Sequence, residues 1–382
     1  MIGRLRTMAG GAKTVRAALL VALAGLLAPA EGLAASPACE GENLVPGLVA
    51  AGQYKAVEAK AAKVENGEGR FFEIAAAGAA PSYLFGTMHL GDPRLLALPA
   101  PVETAFEGSD RLIIETTDIL DQIKMAGALF ADPGLTTLAD GKTLQDYLTP
   151  DQRQKLETML SAKGVPLQAV ERLQPWFLSS GFMLPDCMKE AAGGIPLVLD
   201  TDLAAAAKRS GKPVEGLETA AEQLKSLSAI PIEEQVDGLV ALLGAEDRLD
   251  DVFETMIVLY LSEHIATILP AIEAAVPEGG MLVGSGEGYG SFEEKVITER
   301  NVRMADRLEP FLQRGGSFVA VGALHLPGEK GLVSLLEERG FTVTRVKAPV
   351  DADGDAAAGT EATPPSANER GGAHDQSSHT NK

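Results

Sequence analysis

The chain has 382 residues, a hydrophobic fraction of 46% and a formal net charge of −20. That is enough apolar chain for one large core or two smaller ones. The acidic balance argues against nucleic acid as a partner, because phosphate binding needs a basic surface.

Residues 1–35 have the pattern of a secretory signal. Arg4, Arg6, Lys13 and Arg16 precede a short apolar run, Ala17–Leu27, and the small residues around Leu33-Ala34-Ala35 suit cleavage. The run is too short for a comfortable membrane span. The expected mature protein is therefore periplasmic or extracellular, with no stable span. Cys39 lacks the context of a lipoprotein cysteine. Cys39 and Cys187 are the two cysteines of the chain. An exported chain with an even cysteine count predicts a Cys39–Cys187 disulfide. Its long loop would be worth about 4–5 kcal/mol in the chain-entropy model.

The first predicted strands are Phe71–Ala76 and Ser82–Met88, a hairpin around Gly78-Ala79-Ala80-Pro81. A short helix ends near Gly108. Arg111–Glu115 is the next buried strand, with the Glu115 carboxylate at its end, costly unless it meets solvent, a cation or a metal. From about Asp118 to Gly193 the periodicity is helical, with Thr149-Pro150 as a helix start. Trp176, Phe177 and Phe182 read as core. Ile195–Leu199 is expected as a strand, followed by a helix over Asp202–Arg209 capped by Asp200 or Thr201. Val214–Leu217 is a further strand ending at Glu218, which either starts a helix or faces a crevice. Residues 219–275 return to helix, and His264 within them reads as an ordinary helix histidine.

Residues 291–314 form one predicted helix. Asn301 sits on its apolar stripe between Ile297 and Met304, and a polar residue there must find a partner. It is either a hydrogen-bonded core residue or, with Arg300, part of a crevice. The final elements are a strand at Phe318–Val321, a helix at Gly331–Glu338 and a strand at Phe341–Val346. Residues 348–382 are too polar and too rich in Ala, Gly, Pro and Ser to bury a core, and read as a disordered tail. Gly284–Gly290 is glycine-rich without a strand-then-helix context and reads as a loop.

One pattern occurs twice. Tyr83-Leu84-Phe85 runs into Gly86-Thr87-Met88-His89, and Phe318-Val319-Ala320-Val321 runs into Gly322-Ala323-Leu324-His325. Each is a short apolar run, as in strands covered on both faces, that stops at a glycine and delivers one imidazole. In open α/β sheets ligands bind at the carboxyl ends of the strands. Two such histidines in one crevice would supply half of a metal site. His264, His374 and His379 have no such setting.

With these residues in hand, the chain resembles the TraB/PrgY/GumN family, which includes the Tiki ectodomains. The matching pieces are Gly86-Thr87-Met88-His89, Glu115, Leu199-Asp200-Thr201-Asp202-Leu203, Gly211-Lys212 to Leu217-Glu218-Thr219, Glu299-Arg300-Asn301 and Val321 to Gly328. They span about residues 40–347. The resemblance implies an α/β fold with a central mixed sheet from two related halves, each with a Gly-x-x-His strand end. The single domain would cover 36–347, with a large helical insertion at about 118–193 and 219–275. It also implies a divalent-metal-dependent hydrolase, with peptide cleavage as described for Tiki members.

On this reading His89, Glu115 and His325 hold a divalent ion, and Glu115, Arg300 and Asn301 serve catalysis. Glu115 either completes the ligand set or acts as base, while Arg300 and Asn301 steady charge developing on a carbonyl oxygen. Two imidazoles and a carboxylate suit Zn, Mn or Co, and ligand type does not choose among them. The alternative is a non-enzymatic exported protein that binds a peptide or small ligand in the same crevice.

Overall fold

A computed structural model of the protein describes residues 41–182, 198–276 and 289–348. The expected signal, the Cys39–Cys187 bridge and the tail beyond Ala348 lie outside the described residues, as does most of the Gly284–Gly290 loop.

Six strands form one mixed sheet in the order β4-β3-β5-β2-β1-β6. They are β1 (Phe71–Ala75), β2 (Ser82–Thr87), β3 (Arg111–Ile114), β4 (Val214–Gly216), β5 (Ser317–Gly322) and β6 (Thr342–Arg345). Four neighbours, β4, β3, β5 and β2, run parallel. β1 runs against both β2 and β6. The hairpin expected from the sequence is therefore present, joined to a parallel core.

The central strands explain their own burial. Leu84, Leu112, Ile113, Ile114 and Phe318 to Val321 are all inaccessible to solvent. Strands apolar on both faces must be covered on both faces. The pleat then sorts them. Leu84, Ile113, Val319 and Val321 pack with Met304, Leu308, Leu312 and Leu336, from the helices Glu299–Leu312 and Leu332–Glu338. Phe85, Leu112, Ile114, Phe318 and Ala320 pack on the other face with Val102, Leu199, Leu203 and Ala207, from the helices Ala100–Gly108 and Leu199–Arg209. The result is a three-layer α/β/α body.

Two further apolar clusters are mainly helical. One joins the Pro150–Ala162, Pro175–Phe182 and Ile232–Ala245 helices. The other joins Leu249–Leu261 and Ile268–Ala275 to Met88, Leu90 and Ala323, just beyond the ends of β2 and β5. Tyr260 donates from its hydroxyl to the Gly86 carbonyl at 2.7 Å, tying this helical body to the sheet beside the site. Among the described residues no helix is long and apolar enough to cross a membrane.

Three local expectations change. Leu199 begins a helix rather than ending a strand; Val198 is extended and serves as N-cap, and residues 195–197 lie outside the described set. Asp200 is consequently the second residue of the helix, not its cap, and its carboxylate is released for another partner. The helix expected over 291–314 contains a π-helical segment, Glu293–Thr298, ahead of the regular Glu299–Leu312 turns. Such segments widen a helix locally and recur at functional sites.

Candidate active site

The strand order brings the two repeated motifs together. β2 and β5 are parallel neighbours in register, with Gly86 opposite Val321 and Thr87 opposite Gly322. β3 lies on the other side of β5, with Ile114 opposite Ala320. His89, His325 and Glu115 therefore leave the carboxyl ends of three adjacent strands, where ligand crevices form in such sheets. Close packing needs glycine here. A Cβ on Gly86 would come within 2.6 Å of Leu326 and 3.0 Å of the Ala323 backbone. A Cβ on Gly322 would stand 3.2 Å from Glu115 Oε1 and 3.3 Å from His89 Nε2.

Each imidazole is held by its Nδ1. His89 Nδ1 lies 2.8 Å from Asp200 Oδ2, and Thr87 donates to Asp200 Oδ1 at 3.0 Å. His325 Nδ1 lies 2.7 Å from Asn301 Oδ1. Asn301 Nδ2 donates to the Lys330 carbonyl at 2.8 Å, which fixes the amide with its oxygen toward the ring. Both partners offer acceptors, so each Nδ1 carries a hydrogen. The Nε2 atoms turn to a common point: Glu115 Oε1 is 3.5 Å from that of His89 and 3.8 Å from that of His325. These separations exceed ordinary hydrogen bonds.

Glu115 is anchored on both oxygens. Oε1 accepts from the Gly322 amide at 2.7 Å. Oε2 accepts from Arg300 at 2.5 Å and from Gln223 at 3.1 Å. Arg300 also donates to Glu218 Oε2 at 2.8 Å and to the Val296 carbonyl at 3.3 Å, within the π-helical segment. Glu218 in turn accepts from Arg303 at 2.6 Å. A buried cation thus sits between two buried carboxylates.

The electrostatics follow. Burial opposes ionisation of Glu115, but His89, His325 and Arg300 outweigh it and hold the carboxyl well below the usual range. Desolvation in the recess works against a charged His89, yet Asp200, with Glu115, raises it well above the ordinary histidine value. His325 is pushed down to about 3, chiefly by burial, with Arg300 and His89 repelling its charge and Glu115 opposing them. His325 is 5% exposed and His89 53%, so the first forms the floor and the second the rim.

A cavity of about 720 Å³ opens over these groups. His89, Glu115, Arg300 and His325 line it; Asn301 does not, being fully buried behind His325. Among the described residues no group of three or more His, Cys, Asp or Glu side chains is placed to hold a metal ion as the side chains stand.

The model of the TraB/PrgY/gumN family matches residues 71–345, from the first residue of β1 to the last of β6. The chain is a member of the TraB/PrgY/GumN family. Two relatives of this TraB/PrgY/GumN protein are each named "Uncharacterized protein YbaP". The one from Shigella flexneri is 25% identical over 273 residues, 69% of this chain and 90% of the relative. The one from Escherichia coli K12 is 25% identical over 263 residues, 66% of this chain and 87% of the relative.

Of the residues singled out in the sequence of this family member, His89, Glu115, Arg300 and His325 meet directly, and Asn301 meets them through His325. Asp200, one of the two candidate caps, instead holds His89. Glu218 faces Arg300 rather than open crevice. Gln223 went unnoticed, because a glutamine inside a helix carries no pattern of its own, and Thr87 was quoted only as part of the Gly86-Thr87-Met88-His89 stretch with no role given to it. Asp200 had a signal: it lies within a stretch that already resembled the family.

Proposed function

We propose that this protein is an exported divalent-metal-dependent hydrolase acting on peptide bonds. One observation carries the reading: two imidazoles, each with Nδ1 hydrogen-bonded to an acceptor, turn Nε2 toward the same carboxylate oxygen. Metal-binding histidines are typically held through the other ring nitrogen in this way, by a carboxylate or carbonyl partner.

The donor types suit such an ion, and the three side chains would draw together to hold it. The Nδ1 partners leave both Nε2 lone pairs available once His89 has lost its second proton. The missing Cβ of Gly322 leaves space between Glu115 Oε1 and His89 Nε2. The chemistry of the donors, two imidazoles and one carboxylate, suits Zn, Mn or Co. His89, His325 and Glu115 Oε1 would hold the ion. When bound, it would polarise a substrate carbonyl and acidify water.

The protein groups have separable tasks. Arg300 helps to keep Glu115 ionised, Arg300 and Gln223 hold its Oε2, and the Gly322 amide fixes Oε1. Both Glu115 oxygens already accept hydrogen bonds, so ligation through Oε1 suits Glu115 better than general-base work. Arg300 lines the cavity but is already shared between Glu115 and Glu218, so its task is to hold Glu115 rather than to meet charge developing on a carbonyl oxygen. Asn301 sits behind the ring and orients His325 rather than touching substrate.

The test is the metal content of residues 36–382 beside that of the His89→Ala/His325→Ala double variant. A single equivalent in the parent and none in the folded variant is expected, followed by cleavage in a peptide screen under each metal. No metal in either protein after incubation with Zn, Mn or Co would leave ligand binding without chemistry as the better reading.

A further inference from the structure

The described cavity divides into a polar floor and apolar walls. Its ionisable lining residues are His89, Glu115, Asp200, Arg300 and His325. His89, Glu115 and His325 follow strand ends, Asp200 and Arg300 reach them from helices, and all are engaged. Asp200 is held by Thr87 and His89. Glu115 is held by Gly322, Gln223 and Arg300, and Arg300 by Glu115 and Glu218. His325 is held by Asn301. Among the described lining residues none is a lysine, and the single arginine already has two carboxylate partners.

The walls have the opposite character. Ile119, Leu227, Met256, Ile297 and Leu324 line the cavity and are only partly buried, so part of each faces the open space. They come from five separate segments: the short turn after β3, the Ala220–Ser228 helix, the Leu249–Leu261 helix, the π-helical segment and the turn before His325. Five unconnected elements thus place an aliphatic or thioether side chain around one opening. No Phe, Tyr or Trp is among the described lining residues.

From this we infer that the site recognises a neutral, apolar stretch of peptide, with bulky aliphatic or aromatic side chains flanking the reacting bond and no charged terminus beside it. The inference deepens the reading above and rests on it for the identity of that bond. Away from the ion itself, a free carboxylate, ammonium or phosphate entering the cavity would lose its hydration without finding an uncommitted side chain among the described lining residues. An apolar side chain gains by leaving water against Leu227 and Met256. The cavity volume falls in the range of clefts that enclose small ligands, about 300–1,000 Å³. The five wall residues are therefore the specificity determinants.

The experiment measures binding apart from turnover. Hexapeptides blocked as acetyl and amide, with a fluorophore on an outer linker, differ only in their central pair: Leu-Phe, Ser-Ser, Asp-Asp or Lys-Lys. Fluorescence anisotropy is read with the full chain in excess chelator. The Leu-Phe peptide is expected to bind at least about tenfold more tightly than the other three. Leu227→Asp and Met256→Asp, checked for folding by thermal melts, are expected to abolish that preference. Equal binding across the series, no measurable binding of the Leu-Phe peptide, or an unchanged preference in folded variants would overturn the inference. If neither variant folds, the peptide series on the parent chain decides by itself. Tight apolar binding with no cleavage under any metal would remove the hydrolase reading and leave this one standing. Cleavage of all four peptides at equal rate would do the reverse.

Discussion

Asn301 Oδ1 lies 2.7 Å from His325 Nδ1, on the side of the ring away from the cavity. The amide cannot turn over without losing its bond to the Lys330 carbonyl. One asparagine therefore sets the tautomer of the deepest histidine, and Nε2 is left without a proton when the ring is neutral. Buried polar groups of this kind are costly to leave unpaired.

Replacing that asparagine should separate orientation from folding. Asn301→Ala is expected to lower metal affinity about 10–100-fold. It should lower stability by about 1–3 kcal/mol, because His325 Nδ1 and the Lys330 carbonyl lose their partner. Calorimetric metal titration and urea unfolding measure the two effects. Unchanged affinity in a folded variant would mean that His325 does not ligate.

Gly322 offers a cleaner perturbation. Its backbone (φ −53°, ψ 134°) is accessible to any residue, so alanine adds no torsional strain. The added methyl would press on Glu115 Oε1 and His89 Nε2. Gly322→Ala should fold with nearly the parental melting temperature and bind metal at least about tenfold more weakly, by analogy with other losses of ligand positioning. A variant with parental metal affinity would show that no ion occupies this space.

The two histidines should titrate in opposite directions in metal-free protein. His89 is raised and His325 is pushed down to about 3. The ring proton resonance of His325 should not move between about pH 5 and 8, while that of His89 should titrate above the ordinary value near 6.5. Below its raised pKa, His89 must release a proton to ligate. Metal affinity should therefore rise with pH until that pKa is passed, and the binding heat at pH 6.5 should depend on the buffer's ionisation enthalpy. No dependence on buffer would contradict ligation by His89.

Acid stability has a separate marker away from His89, Glu115 and His325. Glu222 closes a capping box with Thr219 and pairs with Arg307 at 2.7 Å. Its pKa is lowered to about 2, chiefly by the hydrogen bond from Arg307. The stability it supplies is full above the unfolded value near 4.5 and disappears as pH falls through about 2. The pair is partly exposed, so the effect is modest. Glu222→Gln should cost about 0.5–1 kcal/mol at pH 7 and nothing near pH 1.5. Urea melts at the two pH values compare them, and an equal loss at both would assign the cost to packing.

Much of the fold was legible because burial writes itself into short segments. Leu112 to Ile114 and Phe318 to Val321 are continuous apolar runs, and only a strand covered on both faces accommodates them. The repeated Gly-x-x-His ending exposed His89 and His325 without any alignment. The helix boundary at Leu199 was less legible, because Leu197-Val198-Leu199 is as apolar as a strand and no turn residue separates it from Asp200.

By itself the sequence determined which side chains leave strand ends and which helices carry polar residues on apolar stripes. These follow from periodicity and from the scarcity of buried charge. The tertiary structure decided which of them meet. β5 enters the sheet between β3 and β2, so residues more than 200 positions apart, Glu115 and Gly322, share a hydrogen bond. Asp200 reaches back 111 positions to His89, and Glu218 is drawn from a crevice toward Arg300. Local pattern cannot encode such pairings. They arise because strand order is set by how the apolar faces of the whole chain are covered.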